Sequence, residues 1–419
     1  MVELPAPGLP DLRPWLRDGD TITWGQCHAE PLTLTRALVA QRHHFKRLQV
    51  VTGIASGATL LPEHGDVLRF TSYCGTGGNR ALARAGLLDI VPGPYSQFAG
   101  LLRQGPLKVD VVLVQLSPAD AQGRHSLGLA NDYLPAALDA ARVVIAEINP
   151  DVPWTFGART LGADDIDASF PALFAPLALA PAPPGEVESR IARRVAALID
   201  DGATLQVGLG GTAEATLALL TDRRDLGLHS GLVGDALVTL AESGALTNAR
   251  KTIDTGTSIV GLLVGSARLS AFAHRNPALQ LRGCDYTHAA DVLRRIDRLV
   301  ALNSAIEVDL SGQVNAEVAA GQYVGAVGGA PDFLRAAALS RGGLPIIALP
   351  ATAGPRSRIV ARLSGPVTTP RCDAGLIVTE HGVADLRGLS LRQRAARMLD
   401  IAAPEHRQAL ALAAVQPLA

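Results

Sequence analysis

The first candidate ligand-binding residues in this sequence are glycines that directly follow a strand-like run. Residues 208–214 follow the strand-like run 204–207 and open a helix-like segment. Such glycines let backbone N–H groups converge on an anion at the helix N-terminus, although tight turns also use glycine for geometry alone. The segment is not a dinucleotide fingerprint, because Ala213 replaces the last glycine of GxGxxG, and it lacks the Gly-Lys-Ser/Thr of a P-loop. The candidate anion-binding residues are Gly208, Gly210, Gly211 and Thr212.

Two further segments could contact the same kind of ligand. Residues 324–333 are glycine-rich and precede a helix-like run, so their N–H groups could form an oxyanion hole. Residues 351–358 carry Arg356 and Arg358, whose guanidinium groups suit a phosphate-bearing ligand, although two arginines in a turn are also common on a solvated surface. The candidate binding residues in these segments are Gly325, Gly328, Gly329 and Arg356.

The elements that must position these loops alternate between strands and helices. Near-continuous runs of β-branched residues and leucine, bounded by glycine or proline, are typical of parallel strands covered on both faces. Helical periods lie between them, as at 186–199 and 389–399. The sequence therefore predicts α/β architecture with mostly parallel sheets. The predicted strands are 109–116, 141–148, 299–302, 345–349 and 375–379.

A Pro/Ala-rich stretch at 175–184 predicts a linker between two halves, with an N-terminal domain at 1–180 and a C-terminal domain at 185–419. The segments beginning at 18 and at 201 match over five to eight positions at a constant offset, each leading into a helix-like run. Two related α/β domains would explain this repeat, and chance similarity between two turn–strand–turn–helix units is the alternative.

Composition excludes several classes of function. The chain has 419 residues, 48% of them hydrophobic, with a net charge of −1 and 4% aromatics. We therefore expect neither a basic surface nor an aromatic groove that would bind nucleic acid. We also expect no charged surface that would bind an anionic membrane. The four cysteines are far apart and form no CxxC or Cys/His cluster, so no metal site is predicted. The N-terminus has no signal-peptide pattern and no apolar run reaches transmembrane length, so we expect a cytoplasmic protein.

Several segments, taken together and in this order, resemble the acetyl-CoA hydrolase/transferase family, which includes 4-hydroxybutyrate and succinyl-CoA:acetate CoA-transferases. The resemblance covers nearly the whole chain. The segments that carry it are 109–123, 144–150, 225–230, 302–314, 325–333, 340–343 and 378–388.

The resemblance implies two similar open α/β domains of the CoA-transferase type. It also implies that coenzyme A moves between an acyl-CoA and a small carboxylic acid through an acyl-glutamyl anhydride and then a glutamyl-CoA thioester. Coenzyme A is implied to lie along 208–212, 325–329 and the cation near Arg356, with no metal and no nicotinamide. Asn315 is a candidate hydrogen-bond donor to the acyl group or a turn-stabilising residue. A homodimer is the expected assembly, with a hetero-oligomer containing a catalytic partner as the alternative.

Gly231 departs from the family pattern. In that pattern the nucleophilic glutamate follows the pair that stands here as His229 and Ser230, but glycine has no carboxylate to be acylated. The flanking residues match without a gap, so a shift of register does not restore one. His229 is expected to be a packed or capping residue more often than a base.

Four interpretations of Gly231 stay open. Another carboxylate, from Glu30, Glu63 or Glu380, could reach the same point. The carboxylate of the acceptor acid could attack the thioester directly, with the glycine making room for it. Water, activated by Glu380 or His229, could replace the glutamate and make the protein an acyl-CoA hydrolase. Finally, the chain could bind CoA as a subunit whose partner completes the active site.

Overall fold

The computed structural model describes residues 8–178, 182–208 and 210–414 of the chain. Within them the chain forms two compact units. The first contains residues 8–178 and Ile259–Thr287, and the second contains 182–258 and the residues from His288 onward. Ile259–Thr287 lies inside the domain predicted as 185–419 but belongs to the first unit; the bounds 1–180 and 185–419 remain a prediction.

Strands run through both units and are numbered along the chain. They are β1 (Thr21–Trp24), β2 (Leu48–Thr52), β3 (Leu68–Ser72), β4 (Leu88–Ile90), β5 (Val111–Leu116), β6 (His125–Ser126), β7 (Val143–Ile148), β8 (Phe156–Gly157), β9 (Thr160–Leu161), β10 (Ala168–Pro171), β11 (Thr204–Val207), β12 (Gly227–Val233), β13 (Ser258–Leu263), β14 (Leu279–Leu281), β15 (Leu299–Asn303), β16 (Glu307–Asp309), β17 (Val314–Asn315), β18 (Val318–Ala319), β19 (Gln322–Tyr323), β20 (Leu344–Ala348), β21 (Thr352–Ala353), β22 (Arg356–Ser357), β23 (Ile359–Val360), β24 (Leu376–Thr379) and β25 (Gly382–Asp385).

Helices connect most of the strands. They are α1 (Leu32–Gln41), α2 (Asn79–Arg84), α3 (Phe98–Arg103), α4 (Leu134–Ala140), α5 (Glu186–Ala196), α6 (Gly211–Ala218), α7 (Ala236–Glu242), α8 (Ala267–Ala273), α9 (Cys284–Thr287), α10 (Ala290–Leu293), α11 (Ala330–Leu339), α12 (Leu391–Ile401) and α13 (Pro404–Ala414). Short 3-10 turns are Arg42–His44, Pro62–Asp66, Tyr95–Gln97 and Ala163–Asp165.

The first unit is built on a parallel sheet with strand order β10-β7-β5-β1-β2-β3-β4. Every residue of β5 is buried, as expected of a central parallel strand covered on both faces. A core cluster between the sheet and its helices includes Ile22, Leu34, Leu38 and Phe70, each at most 1% exposed. In the same unit β13, β14 and β8 are hydrogen-bonded in that order.

In the second unit the strands β25-β24-β20-β15-β11-β12 are neighbours in that order. All of these pairs are parallel except β24 and β25, which form a hairpin. The helix α5 starts this unit, with Glu186 and Glu188 in its first turn and Arg193 and Arg194 in its last, as the helix dipole favours. Its apolar stripe is buried at Ile191, Ala192, Val195 and Ala196.

The predicted α/β fold with mostly parallel sheets is confirmed. The strand-like runs of the sequence form β5, β7, β15, β20 and β24, each of which has a neighbouring strand on both sides. The two repeat-related strands occupy equivalent places: β1 lies between β2 and β5, and β11 lies between β12 and β15. Each leads into a helix, α1 and α6 respectively, as the repeat predicts. Of the predicted linker at 175–184, residues 179–181 lie outside the described residues, and its other residues belong to no helix or strand.

In the described part of the chain, no helix is long and apolar enough to cross a membrane. The same residues contain no group of three or more His, Cys, Asp or Glu side chains placed to hold a metal ion.

Candidate functional site

The carboxyl ends of five parallel strands lie along one edge of the sheet in the second unit. Gly208 follows β11, Asn303 ends β15, Pro350 lies just beyond β20 and Glu380 follows β24. Gly231 lies in the C-terminal half of β12. In open α/β sheets, small ligands bind in the crevice outside the carboxyl ends of the strands. This edge is therefore the candidate functional site.

A cleft of about 300 Å³ opens at this edge. It brings together the glycine turn after β11, the end of β15 and the segment after β20. The predicted residues Gly208, Gly210, Gly211 and Thr212 all line it. The other residues that line it include Gly185, Glu188, Asn303, Ser304, Pro350 and Arg358.

The glycine turn leaves open space in front of a helix N-terminus. Gly210 has φ +132°, which L side chains rarely adopt, and α6 begins at the next residue. Among the described residues, a Cβ on Gly210 or Gly211 would meet no atom within 4 Å, and no side chain caps the helix. The first N–H groups of a helix have no partners inside it, so the empty space in front of α6 suits an anionic or carbonyl ligand.

Arg358 supplies a cation to the cleft. Burial lowers the pKa of its guanidinium, while the nearby charge of Glu380 acts in the opposite direction. The backbone of Arg358 is fixed, because its N–H donates to the carbonyl of Ala351 (2.8 Å) and its carbonyl accepts from Val308 (2.8 Å). The predicted Arg356, two residues earlier, is exposed and is not among the residues that line the cleft.

Glu380 lies in the two-residue turn between β24 and β25 and is 7% exposed. Its Oε2 accepts a hydrogen bond from the N–H of Ala351 (2.8 Å), and its backbone carbonyl accepts one from Arg194 Nε (3.3 Å). The carboxylate thus anchors the loop that carries Arg358. Its proposed role as a substitute nucleophile remains a prediction.

Asn315 is fully buried and its amide is fully occupied. Its Nδ2 donates to Glu307 Oε1 (2.9 Å) and to the carbonyl of Val318 (2.8 Å). Its Oδ1 accepts from the N–H groups of Glu317 and Val318 (3.0 Å each). This geometry is that of a turn-stabilising side chain, and contact with an acyl group remains a prediction.

The three glycines of the second loop have different surroundings. A Cβ on Gly325 would lie 1.9 Å from the carbonyl oxygen of Ala316, so this glycine permits a close backbone approach. Gly328 has φ +58°, and Gly329 is the N-cap of α11. Because α11 leads into the start of β20, its N-terminus lies toward the carboxyl edge of the sheet. None of the three glycines is among the residues that line the 300 Å³ cleft.

Position 231 lies close to the cleft, because the adjacent Ser230 is hydrogen-bonded to Val207. The hydroxyl of Ser230 accepts from the N–H of Val207 (3.2 Å) and donates to the carbonyl of Leu232 (2.7 Å). Val207 immediately precedes Gly208, so the backbone at 231 lies beside the glycine turn. His229 and Ser230 are themselves fully buried.

The space that a side chain at 231 would use contains an imidazole. A Cβ on Gly231 would lie 2.8 Å from Cε1 and 2.9 Å from Nε2 of His288, distances that real Cβ atoms essentially never show. The direct-attack interpretation assumed that the glycine leaves room for the acceptor acid. In the structure His288, which sequence reasoning missed, takes up that room.

Glu30 lies in the first unit, after β1. It is 3% exposed, its Oε1 accepts from the hydroxyl of Thr35 (2.9 Å), and burial raises the pKa of its carboxyl. It lines a cavity of about 20 Å³ together with Gly57 and Thr59. The same unit has a cavity of about 560 Å³, lined mainly by apolar residues around Trp154.

Glu188 is a charged residue of this cleft that sequence reasoning missed. It is half-buried on α5 and lines the cleft. The sequence pattern of α5 predicts only a helix start, so its helical period gives no signal for a ligand. For His288 the sequence gives no local signal, because it approaches Gly231, Gly329 and Phe333, which lie 41 or more positions away in the chain.

The chain matches two protein-family domains. Residues 10–166 match the acetyl-CoA hydrolase/transferase N-terminal domain and residues 265–414 match the C-terminal domain. The 4-hydroxybutyrate coenzyme A transferase of Clostridium kluyveri is 36% identical over 396 residues, 93% of this chain and 92% of that protein.

Two solved structures are similar along nearly the whole chain. The crystal structure of RipA from Yersinia pestis has a TM-score of 0.91 and 32% identity and covers 95% of this chain and 94% of its own. The 4-hydroxybutyrate CoA-transferase from Porphyromonas gingivalis has a TM-score of 0.78 and 31% identity and covers 96% and 94%.

Proposed function

Because this chain belongs to the acetyl-CoA hydrolase/transferase family, we propose that it is a CoA-transferase that moves coenzyme A between an acyl-CoA and a small carboxylic acid. The observation that carries the proposal is the cleft at the carboxyl edge of the second unit. There a side-chain-free turn, a helix N-terminus and the half-buried Arg358 face one space.

These groups fit the parts of coenzyme A. Arg358 can form charge-assisted hydrogen bonds with phosphate oxygens. The N–H groups at the start of α6 can bind an anionic or carbonyl oxygen, and Gly210 and Gly211 leave room for a chain of the ligand to pass. Coenzyme A is here a substrate, and no resident cofactor is needed for the transfer.

Position 231 offers no carboxylate, so a glutamyl-CoA route would need a glutamate from elsewhere in the chain. His288 fills the space beside Gly231, so we propose that the acceptor acid enters from the cleft in front of α6 instead. Its carboxylate attacks the thioester carbon and expels the CoA thiolate, which gives a mixed anhydride of the two acids. The thiolate then attacks the acceptor's carbonyl carbon, forms the new thioester and expels the donor acid as its carboxylate. One oxygen of the acceptor therefore ends in the donor acid.

Oxygen labelling tests this route. In a single turnover with acceptor acid carrying ¹⁸O in both carboxylate positions, the released donor acid should carry one ¹⁸O, and the intact mass of the protein should not change. Donor acid without ¹⁸O, together with a CoA adduct on another glutamate such as Glu380 or Glu30, would contradict direct attack and support a substitute nucleophile. If calorimetry detects no binding of CoA or acetyl-CoA, the whole proposal fails.

Hydrolysis is the second candidate function, because a site without a nucleophilic carboxylate could admit water. The two activities are separated by measuring CoA release with and without an acceptor acid: a transferase needs the acid, and a hydrolase does not. A chain that binds CoA but does neither would be a subunit that needs a partner. We expect a homodimer acting in the cytoplasm, and light scattering of the purified protein measures the assembly.

A further inference from the structure

The internal repeat allows the N-terminus of α6 to be compared with a counterpart in the first unit. Residues 18–25 match residues 201–208 without a gap, so β11 is the counterpart of β1. Each of these strands leads through a helix to a parallel neighbour, β2 in the first unit and β12 in the second. Parallel crossovers of this kind are right-handed, so α1 and α6 lie on equivalent faces of their sheets.

A carboxylate of the chain itself lies at the start of α1. The Oε2 atom of Glu147 on β7 accepts from the N–H groups of Thr33 (2.8 Å) and Leu34 (3.3 Å), the second and third residues of that helix. Glu147 is fully buried. Negative charge is stabilised at a helix N-terminus by the free N–H groups and by the helix dipole. In the first unit, therefore, the place in front of the helix is filled by a bound carboxylate.

The counterpart of Glu147 in the second unit is Ala348. The strand pairings give this equivalence, because one register connects Ile22, Val111 and Val143 in the first unit and Leu205, Val300 and Leu344 in the second. Glu147 and Ala348 each lie four residues further along the last of these strands. Alanine has no carboxylate to offer α6. Ala348 instead lines the 300 Å³ cleft, together with Gly211 and Thr212.

The N–H groups at the start of α6 are available to a ligand. The N–H of Ala213 donates to the carbonyl of Gly210 (3.1 Å), whereas those of Gly211 and Thr212 donate to no acceptor among the described residues. Gly211 is exposed and Thr212 is half-buried. The connection before α6 is three residues long, against seven before α1. The donors of α6 therefore lie close to the carboxyl edge of the sheet.

A buried amide adds a further donor to the same cleft. Asn303 is 8% exposed and pairs with Gln206: its Nδ2 donates to Oε1 (2.9 Å) and its Oδ1 accepts from Nε2 (3.3 Å). A primary amide has two N–H groups, so one N–H of Asn303 has no acceptor in the described part of the chain. The counterpart of Asn303 in the first unit is the apolar Val114. The polar side chain thus occurs in the unit whose helix N-terminus is open.

We propose that the N–H groups of Gly211 and Thr212 bind the carboxylate of the acceptor acid, as α1 binds the carboxylate of Glu147 in the first unit. One oxygen of the acid accepts from these N–H groups while the other attacks the thioester carbon of the acyl-CoA in the same cleft. The helix N-terminus favours the ionised form of the acid, which is the nucleophile. Ala348 keeps the place free for an external acid. This inference rests on the proposed CoA-transferase function.

The test of position 348 compares Ala348→Glu with Ala348→Met. Glutamate can accept from the start of α6, so it should compete with the acceptor acid and raise its KM by about tenfold or more. Methionine has a similar length but no carboxylate, so it should raise this KM by about threefold or less. Calorimetry should show CoA binding in both variants. An unchanged KM in Ala348→Glu, or equal KM values in the two variants, would overturn the inference.

NMR of the wild-type protein tests the same contact without a substitution at position 348. The protein is labelled with ¹⁵N-glycine and ¹⁵N-threonine and saturated with CoA, and Gly211→Ala and Thr212→Ser assign the two amide resonances. Acetate should shift both resonances, and sodium chloride at equal ionic strength should not. A shift caused by CoA alone, with no further change on addition of acetate, would overturn the inference and place CoA itself at the helix N-terminus.

The outcomes separate this inference from the proposed function. A wild-type protein that transfers CoA to none of acetate, butyrate and succinate would refute the function. A working transferase in which the amides of Gly211 and Thr212 do not respond to acetate would refute only the carboxylate site. If the variants at position 348 do not fold, the NMR experiment decides.

Discussion

Glu380 and Arg358 are joined through one residue, Ala351, whose N–H donates to the carboxylate of Glu380 and whose carbonyl accepts from the N–H of Arg358. A buried carboxylate on one strand turn therefore fixes the backbone that presents the cation of the cleft. Glu380 therefore supports the loop that carries Arg358, and its role as a substitute nucleophile remains a prediction.

Replacement of Glu380 distinguishes these two roles. Glu380→Gln keeps an oxygen that can accept from Ala351, so we expect transfer activity to be largely retained. Glu380→Ala leaves that N–H without its partner, which should lower the free energy of unfolding by about 1–3 kcal/mol and raise KM for acyl-CoA. Denaturation and steady-state kinetics measure both. Complete loss of activity in Glu380→Gln would instead make the carboxylate itself catalytic.

Replacement of Arg358 should weaken binding of coenzyme A. Arg358→Gln removes the charge-assisted hydrogen bonds expected with phosphate, a loss of about 1.5–3 kcal/mol that corresponds to roughly 10- to 100-fold in Kd. Arg356→Gln changes an exposed residue of the same segment and is the matched control. Calorimetry with CoA measures the two side by side. Equal losses, or a larger loss for Arg356, would move the phosphate contact out of the cleft.

Gly231→Ala should destabilise the protein through contact with His288. The added methyl group overpacks a buried ring, which costs about 1–3 kcal/mol. In Gly231→Ala/His288→Ala the obstacle is absent, so the two changes should be coupled by about 0.5–3 kcal/mol in a double-mutant cycle.

The control for this cycle is Gly100→Ala in α3, where a Cβ would meet no atom of the described part of the chain within 4 Å. That change should be neutral or stabilising, since alanine is the better helix former. Additive effects of the changes at 231 and 288 would show that the ring does not limit position 231. Because the His288 ring occupies the space of a side chain at position 231, Gly231→Glu alone should not create a glutamyl-CoA transferase.

Glu147 should make stability depend on pH. Its Oε2 accepts from the N–H groups of Thr33 (2.8 Å) and Leu34 (3.3 Å) at the start of α1, and burial raises its pKa from 4.5 to about 7. Below pH 4.5 the group is protonated in both states. Between 4.5 and 7 the unfolded state loses the proton first, so stability falls as pH rises.

The expected loss is at most about 3.5 kcal/mol, since the pKa rises from 4.5 to about 7 and each pKa unit is worth about 1.4 kcal/mol. Glu147→Gln cannot titrate and keeps an acceptor for α1, so its free energy of unfolding should fall less over this range. Urea denaturation across the pH range measures the difference, and Glu63→Gln, at an exposed position, is the control. Parallel curves for wild type and Glu147→Gln would refute the assignment.

The strands and the glycine turn were predictable because their signals are local. Buried parallel strands need continuous apolar runs, and β5, β7, β15, β20 and β24 all lie where such runs occur. The pattern of a strand followed by glycines and a helix predicts that Gly208, Gly210, Gly211 and Thr212 lie together. All four line one cleft.

Other features depend on contacts that no local pattern encodes. Ile259–Thr287 lies in the C-terminal half of the sequence but belongs to the first unit, because its contacts rather than its position decide where it packs. The choice of Arg358 over Arg356 as the cation at the cleft depends on backbone hydrogen bonds to Ala351 and Val308. The imidazole beside Gly231 comes from residue 288. Only the tertiary packing shows that this ring fills the space beside the glycine.

The three positions 231, 288 and 329 constrain one another's evolution. A carboxylate gained at 231 would collide with the imidazole, and an imidazole lost from 288 would leave two glycines facing a void. Each single replacement would therefore give a less stable protein. Successive point mutations would not easily restore a carboxylate at position 231. Relatives that carry a glycine at the first position should also carry a histidine at the second and a glycine at the third.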